Sequence, residues 1–396
     1  MSRIFMADIR PFLGTRFNLK KISLSSALCP PYDVIKPAEA AKLRRGKFNA
    51  IHLELPEGAG QSKYRRAAAL WKSWGNAGVL SRDFQPSFYV TEERFKADGK
   101  AQRRVGFLAA LSVTPEGAKA ILPHERTLPK PKADRLELLK AMQANVSPIF
   151  GIFPDPRGTA REVLRRVQAR PALAQGENVQ GVQYRLWQMS DPKLIVVMQK
   201  SLADKKILIA DGHHRFEVSR AYYAQARCAG ASTVLAYLCP EEDPGLVVLS
   251  THRIVDNAAI SMTSDVLCRV SPCRSRRQLL KRLARAKNPY AYGYYESGRK
   301  GFGFAQPRGN SGCRSGLCVE WIGRHLLNDV APDHILYTPN AAEAERQAKK
   351  LGGAVVFIKP LGVAQIRGAV KAVGLLPPKS TYFYPKIATG LVFKAL

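Results

Sequence analysis

The run Ile207-Leu-Ile-Ala-Asp211-Gly212-His213-His214-Arg215 constrains the fold more than any other stretch of the chain. A short apolar strand that enters a glycine turn and opens a helix, expected from Phe216 to about Ala226, must bury the strand in a sheet with the helix packed against it. Such a turn aims unpaired backbone N–H groups and the positive end of the helix dipole at one spot, and that spot favours an anion. Gly212 lets the backbone come close to a ligand, Arg215 brings a planar donor fork suited to phosphate, and His213 and His214 can donate to oxygens or shuttle a proton. Asp211 is placed to orient a histidine or to hold Mg²⁺. The plainer alternative is a polar turn whose histidines only satisfy nearby carbonyls. Two His, an Asp and an Arg within five residues favour a functional site.

The pattern on either side is α/β. Strands are expected at residues 50–55, 87–90, 105–111, 148–153, 206–210, 234–239 and 247–250. Helices are expected at 64–77 and at 134–144, the latter capped by Asp134. Residues 155–195 read as a polar, helix-containing insertion. Helices at 341–351 and 363–373, a strand at 354–358 and the closing 383–393 suggest a small C-terminal α/β unit. The resulting division is an N-terminal α/β region (1–120), a catalytic core (121–267), a basic Ser/Gly/Arg-rich connection (268–316) and the C-terminal unit (317–396).

With 396 residues, 46% of them apolar, the chain can bury a sizeable core in two or three packed units, which excludes wholesale disorder. No uncharged apolar run reaches the roughly 18 residues a membrane helix needs, and Asp8 and Arg10 interrupt any signal-like start. A soluble, cytoplasmic protein without a membrane partner is therefore expected, and Met6 offers a second starting point. Lys and Arg number 62 against 31 Asp and Glu, a formal net charge of +31. A surface this basic attracts polyanions, nucleic acid among them, and serves solubility equally well. Its densest stretch, Arg274, Arg276, Arg277, Lys281, Arg282, Arg285 and Lys287, carries Leu279, Leu280 and Leu283 as an apolar stripe and predicts one basic amphipathic helix. Seven cysteines point to free thiols. The pairs Cys268/Cys273 and Cys313/Cys318 lack zinc-knuckle spacing.

A second segment, Leu122-Pro123-His124-Glu125, is not a zinc-protease motif, because Leu128 stands where the second histidine would be. A carboxylate brought to a phosphate loop can take the proton of an attacking hydroxyl, and Glu125 is the candidate base. Asp33, in the rigid Pro30-Pro31-Tyr32-Asp33 turn, is a candidate for holding Mg²⁺ or a substrate ammonium, with an Asx turn as the structural alternative. Lys379, Ser380 and Thr381, with Lys386 beyond, offer a lysine and two hydroxyls to an anion or simply tie down the chain end. His252 is expected to be structural.

Taken in order, Leu122 to Glu125, the helix near 134–144, Ser147-Pro148-Ile149-Phe150 and Asp211 to Arg215 resemble the ParB/sulfiredoxin superfamily, and within it the free serine kinases. Over nearly its whole length the chain also resembles the family known as domain of unknown function 1015. The phrases that carry this are Ala7-Asp-Ile-Arg-Pro-Phe, Pro30-Pro-Tyr-Asp-Val-Ile, Leu122-Pro-His-Glu-Arg-Thr, Asn145-Val-Ser-Pro-Ile-Phe, Ile209-Ala-Asp-Gly-His-His-Arg and Pro378-Lys-Ser-Thr-Tyr-Phe-Tyr-Pro-Lys. The resemblance implies a ParB-like core with large insertions and a kinase that phosphorylates free L-serine from Mg²⁺ with ATP or ADP. Carried across, Glu125 would be the base and Gly212, His213, His214 and Arg215 would cradle phosphates; His124 and Asp211 stand beside Glu125 as catalytic candidates, and Asp33, Asn145, Ser147, Lys379, Ser380 and Thr381 as candidates for binding substrate. Two alternatives stay open: a nucleotide-dependent, ParB-like DNA-binding protein, and a metal-dependent hydrolase with Asp211, His213, His214 and Glu125 as ligands.

Overall fold

Residues 100–112 form the longest strand, Lys100–Ser112, and from Arg104 onward it is buried on both faces. A strand covered on both sides belongs at the centre of a sheet. In the computed structural model, which describes residues 7–125, 127, 129–256, 267–309 and 312–396, this strand pairs antiparallel with Phe88–Ala97 on one side and Thr233–Pro240 on the other. The sheet runs Ile121–Leu122, Ile207–Asp211, Ile149–Phe153, Thr233–Pro240, Lys100–Ser112, Phe88–Ala97, Gln183–Met189, Ala174–Glu177, and Ile9–Arg10 also pairs with Lys100–Ser112. It is mixed: Thr233–Pro240 is parallel to Ile149–Phe153, and Ile207–Asp211 is parallel to Ile121–Leu122. Phe88, Phe107, Ile149, Phe153, Ile207, Ile209 and Leu238 form its core with Val163, Leu164 and Val167 of the helix Thr159–Gln168 and Phe216 of the helix His213–Ala226.

This sheet belongs to the first of two compact units, residues 1–123, 127–247 and 385–396. The same unit holds a smaller sheet, Leu80–Arg82, Gly14–Phe17, Phe393–Ala395 and Ala144–Asn145, backed by Tyr64, Ala67 and Trp74 of the helix Gly60–Asn76. The second unit, residues 124–126 and 248–384, is built on an antiparallel six-stranded sheet. Its order is Cys268–Cys273, Phe302–Pro307, Tyr292–Glu296, Ala354–Phe357, His252–Val255, Ile335–Thr338. The helices Arg276–Arg285 and Ala341–Leu351 bury Leu279, Leu283, Ala344 and Ala348 in its core.

Four readings of the sequence change here. Residues 51–54 are a short helix, not a strand, because Asn49 Oδ1 accepts the Ile51 N–H at 2.9 Å and starts a turn that Leu55 N closes on Ile51 O. Asp134 does not cap its helix, which begins at Pro129; it lies inside, bonded to Lys63 Nζ at 2.6 Å and to the Tyr64 hydroxyl at 2.9 Å. Residues 155–195 are no insertion outside the core, since Gln183–Met189 pairs along its whole length with Phe88–Ala97. The described part of 268–316 is largely sheet and helix rather than a connection, with Cys268, Leu279, Tyr292 and Phe304 buried in it. The unit boundaries follow pairing instead of composition. Residues 393–395 return to the first unit because Thr15 and Asn145 pair with them.

The basic helix forms as expected over Arg276–Arg285, with Arg276 bridged to Glu345 and Arg277, Lys281 and Arg285 exposed. All seven cysteines are free and all but Cys228 are buried. No helix among the described residues is long and apolar enough to cross a membrane. The starting residue Met6 lies outside the described residues.

Candidate active site

The strand Ile207–Asp211 ends with its register shifted between Ile209 and Asp211, and Asp211 faces Phe150 of the neighbouring strand. Gly212 follows with φ 87°, and a Cβ there would stand 3.1 Å from the Ile149 backbone, so only glycine makes this turn without strain. The helix opens immediately, at His213 rather than Phe216, and its first internal bond runs from Phe216 N to Gly212 O. The helix ladder therefore begins at Phe216, and the N–H groups of His213 to Arg215 belong to the first turn, where the helix dipole is positive. His213 is buried and His214 half-buried beside them.

Asp211 is clamped. Its Oδ1 accepts from Lys386 Nζ and its Oδ2 from Arg215 Nη2 at 2.8 Å. Burial pushes the Asp211 carboxyl up, but the charges of Lys386 and Arg215 and the Lys386 hydrogen bond outweigh it and bring the pKa down to about 2. Arg215 also donates Nη1 to Pro148 O. The fork read from the sequence as a phosphate clamp is thus turned inward, onto Asp211 and the backbone. A depressed carboxylate contributes stability above its unfolded pKa, near 3.8, that is lost as the pH falls through the folded value. The clamp is worth roughly 2 kcal/mol by that linkage. Unfolding free energy measured between pH 4 and pH 2 should fall less steeply in Asp211→Asn than in the parent.

Other residues expected near the turn lie in the same unit. Asn145 is buried with its Oδ1 accepting the Leu235 N–H at 2.9 Å, a backbone-tying role. Ser147 Oγ donates to Glu54 Oε1 at 3.1 Å, and the Tyr32 N–H donates to the same oxygen at 3.0 Å. Burial, with smaller contributions from its charged neighbours, pushes the Tyr32 hydroxyl up to about 12. Asp33 is exposed. Glu54 and Arg135, whose guanidinium lies 4.2 Å from the Tyr32 ring centre, were not legible as site residues, and a segment read as a strand carried no signal for Glu54.

The second unit brings together His124, Glu125 and the segment 376–381. Glu125 forms a parallel bridge with Leu376, and Leu376 N donates to His124 O at 2.8 Å. Glu125 Oε1 accepts from Thr381 N at 3.0 Å and from Thr381 Oγ1 at 3.1 Å, while Oε2 accepts from Lys379 N at 3.3 Å. His124 Nε2 lies 2.8 Å from Thr381 Oγ1, and the ring is fully buried. Lys379 itself is exposed and holds a positive φ of 60°, a strained conformation for a side-chain-bearing residue. Ser380 Oγ donates to Pro377 O at 2.7 Å and shapes the turn. His252 is structural: burial and then Arg253 lower its pKa to about 4, and its Nδ1 accepts the Ile358 N–H.

The carboxylates of Asp211 and Glu125 are not disposed to hold Mg²⁺ in this geometry. Both Asp211 oxygens are taken by cations and both Glu125 oxygens by hydrogen-bond donors. Among the described residues no three His, Cys, Asp or Glu side chains are arranged to hold a metal ion. The four-ligand hydrolase set of Asp211, His213, His214 and Glu125 meets the same obstacle, so no step is assigned to a resident metal.

Fold and turn together define a mixed α/β protein whose central sheet delivers a glycine turn and a helix N-terminus. The chain belongs to the family described as protein of unknown function (DUF1015), whose sequence pattern matches residues 9–314. No curated protein matches it. Among solved structures it is similar to a conserved hypothetical protein from Pyrococcus furiosus, at 14% identity over 71% of this chain and 92% of that one, with a TM-score of 0.37. A free serine kinase in complex with AMP matches at 13% identity over 72% and 92%, with a TM-score of 0.38. SbnI from Staphylococcus aureus with its C-terminus truncated matches at 10% over 71% and 85%, with a TM-score of 0.34.

Proposed function

We propose that the protein is a small-molecule kinase with a ParB/sulfiredoxin-type core that transfers a phosphoryl group from ATP or ADP to the hydroxyl of free L-serine. The observation that carries the reading is the Asp211–Arg215 turn, with a glycine at φ 87°, a helix that starts directly after it and two histidines beside a carboxylate held ionised by Lys386 and Arg215. Phosphoryl transfer asks for positioning and charge neutralisation more than for covalent help. In this reading the first N–H groups of the helix, with His213 and His214, take the nucleotide phosphates, and Arg215 acts through Asp211 by fixing it.

The reaction balances simply. The serine hydroxyl oxygen forms a bond to the terminal phosphorus as the bond from that phosphorus to its bridging oxygen breaks. Glu125 takes the hydroxyl proton, and ADP leaves when ATP is the donor, or AMP when ADP is. Asp33, Ser147 and Lys379 to Thr381 stand as proposed borders of the substrate, and Mg²⁺ as a companion of the nucleotide.

Mass spectrometry of purified protein incubated with Mg²⁺, L-serine and either nucleotide tests the reading. O-phosphoserine is the expected product. Nucleotide binding without phosphoserine from either donor would overturn it. Salt-steep binding to duplex DNA by such a protein would then assign the exposed Arg277, Lys281 and Arg285 to a polyanion partner.

A further inference from the structure

The first unit contains a small cavity of about 40 Å³ with polar groups from four separate segments on its wall: Glu54, Arg135, Ser147 and Arg215. Two of those groups are unmatched. Glu54 is 1% exposed, its Oε1 accepts from Tyr32 N and Ser147 Oγ, and its Oε2 has no hydrogen-bond partner among the described residues. No Lys, Arg or His of the described residues forms an ion pair with it either. Arg215 spends Nη1 on Pro148 O and Nη2 on Asp211, and its buried Nε donates to nothing described. Arg135 is already committed, with Nη1 on Glu54 O and Nε on Asp134.

A buried carboxylate oxygen without a donor and a buried guanidinium N–H without an acceptor each carry a desolvation cost, so they call for a ligand that supplies both partners. The charges narrow its class. A bare cation at Glu54 would face Arg215 and Arg135, and a bare anion at Arg215 would face Glu54. A group that presents an ammonium and a carboxylate on adjoining atoms satisfies both walls. The remaining walls are mostly apolar, from Leu138, Leu139, Val218 and Val234, with Asn145 and Ser219 the other polar residues, and the volume is that of a few water sites. Only a compact head with a short side chain fits.

We infer that Glu54 and Arg215 form a binding site for the head of a small α-amino acid, with Glu54 Oε2 accepting from the α-ammonium and Arg215 Nε donating to the α-carboxylate. The choice of serine as that amino acid rests on the kinase reading; the zwitterion site itself is read without turnover. Ser147 is a positioning residue in this arrangement, because its hydroxyl holds Oε1 and so fixes the carboxylate that carries Oε2.

Calorimetric titration of the full chain with L-serine, glycine, ethanolamine and 3-hydroxypropionate tests it. L-Serine and glycine should bind, whereas ethanolamine, which lacks the carboxylate, and 3-hydroxypropionate, which lacks the ammonium, should bind about 10- to 100-fold more weakly. Glu54→Gln keeps the Oε1 acceptor and should weaken L-serine by about the same factor with ATP and ADP affinity unchanged. Ser147→Ala, a milder change, should weaken it less, and both variants are checked for the parent thermal transition. The inference is overturned if no zwitterion binds, if the two truncated compounds bind as well as L-serine, or if a folded Glu54→Gln variant binds L-serine like the parent. Phosphoserine formed with an unchanged serine KM in Glu54→Gln would remove this site and leave the kinase reading intact. Serine bound through Glu54 without phosphoserine formation would do the reverse.

Discussion

Glu125→Gln should lower phosphoserine turnover about 10²- to 10⁴-fold, the range a positioned general base supplies, while ATP and ADP bind as they do to the parent. The substitution is conservative in shape. Among the described residues, the Thr381 N–H and hydroxyl hold one oxygen of the Glu125 carboxylate and the Lys379 N–H holds the other. A glutamine amide can keep the Thr381 pair on its carbonyl oxygen, so the fold of the second unit should survive. What it cannot do is accept a proton at neutral pH. Loss of kcat with little change in nucleotide affinity separates a proton-transfer role from a structural one. Thr381→Val adds a second readout, because it removes the hydroxyl that bridges His124 and Glu125 without touching either. It should cost a smaller factor in kcat, through loss of orientation alone. A Glu125→Gln variant with the parent rate would take the base assignment away from this residue.

The parts of this protein that were legible in the sequence are those where local chemistry and position agree. The run Ile207 to Asp211 had to be a buried strand because it is apolar and short, and the residue that ends it had to be glycine because its φ is 87° and a Cβ would press on the Ile149 backbone. The basic helix was readable for the same reason: Leu279 and Leu283 recur at helical spacing and are fully buried. The Arg215 fork was misread because its partners come from elsewhere. Asp211 lies four residues earlier, but the Pro148 carbonyl that draws the guanidinium inward becomes a neighbour only through sheet pairing. Glu54 was invisible for a stronger reason. Residues 51–54 have the composition of a strand, and the Asn49 side-chain bond that makes them a helix competes with the ladder in a way no periodicity records. Likewise 268–316 looked like a linker because glycine and arginine dominate its composition, whereas pairing depends on the alternate residues that face the core.

The largest stability effect is expected away from the turn, at Arg104 and Glu93. Both side chains are fully buried between adjacent strands of the central sheet, with Arg104 Nε 2.5 Å from Glu93 Oε2. Burial pushes the Glu93 carboxyl up, and the Arg104 charge draws it only part of the way back. Burial works against the Arg104 charge too, yet Glu93 and other neighbours hold the guanidinium protonated. Its contacts also include the Pro385 carbonyl at 2.8 Å and the faces of Phe150, Tyr237 and Phe95, with ring centres 4.8 Å, 5.5 Å and 5.9 Å away. None of these replaces a counter-charge. Glu93→Gln takes this counter-charge away from a fully buried cation and should cost about 3–5 kcal/mol in urea unfolding of the first unit. Removing both charges is a different experiment, because the desolvation cost disappears with the attraction. Glu93→Leu combined with Arg104→Met should recover most of the loss or exceed the parent, since well-packed apolar replacements of buried ion pairs often do. If the single variant cost less than about 1 kcal/mol, the range of an exposed pair, the interior at this point would have to admit water. If the double variant remained as unstable as the single one, the pair's importance would lie in the Pro385 bond. That bond ties the returning C-terminal segment to the sheet, and Arg104→Met alone would then reproduce the whole effect.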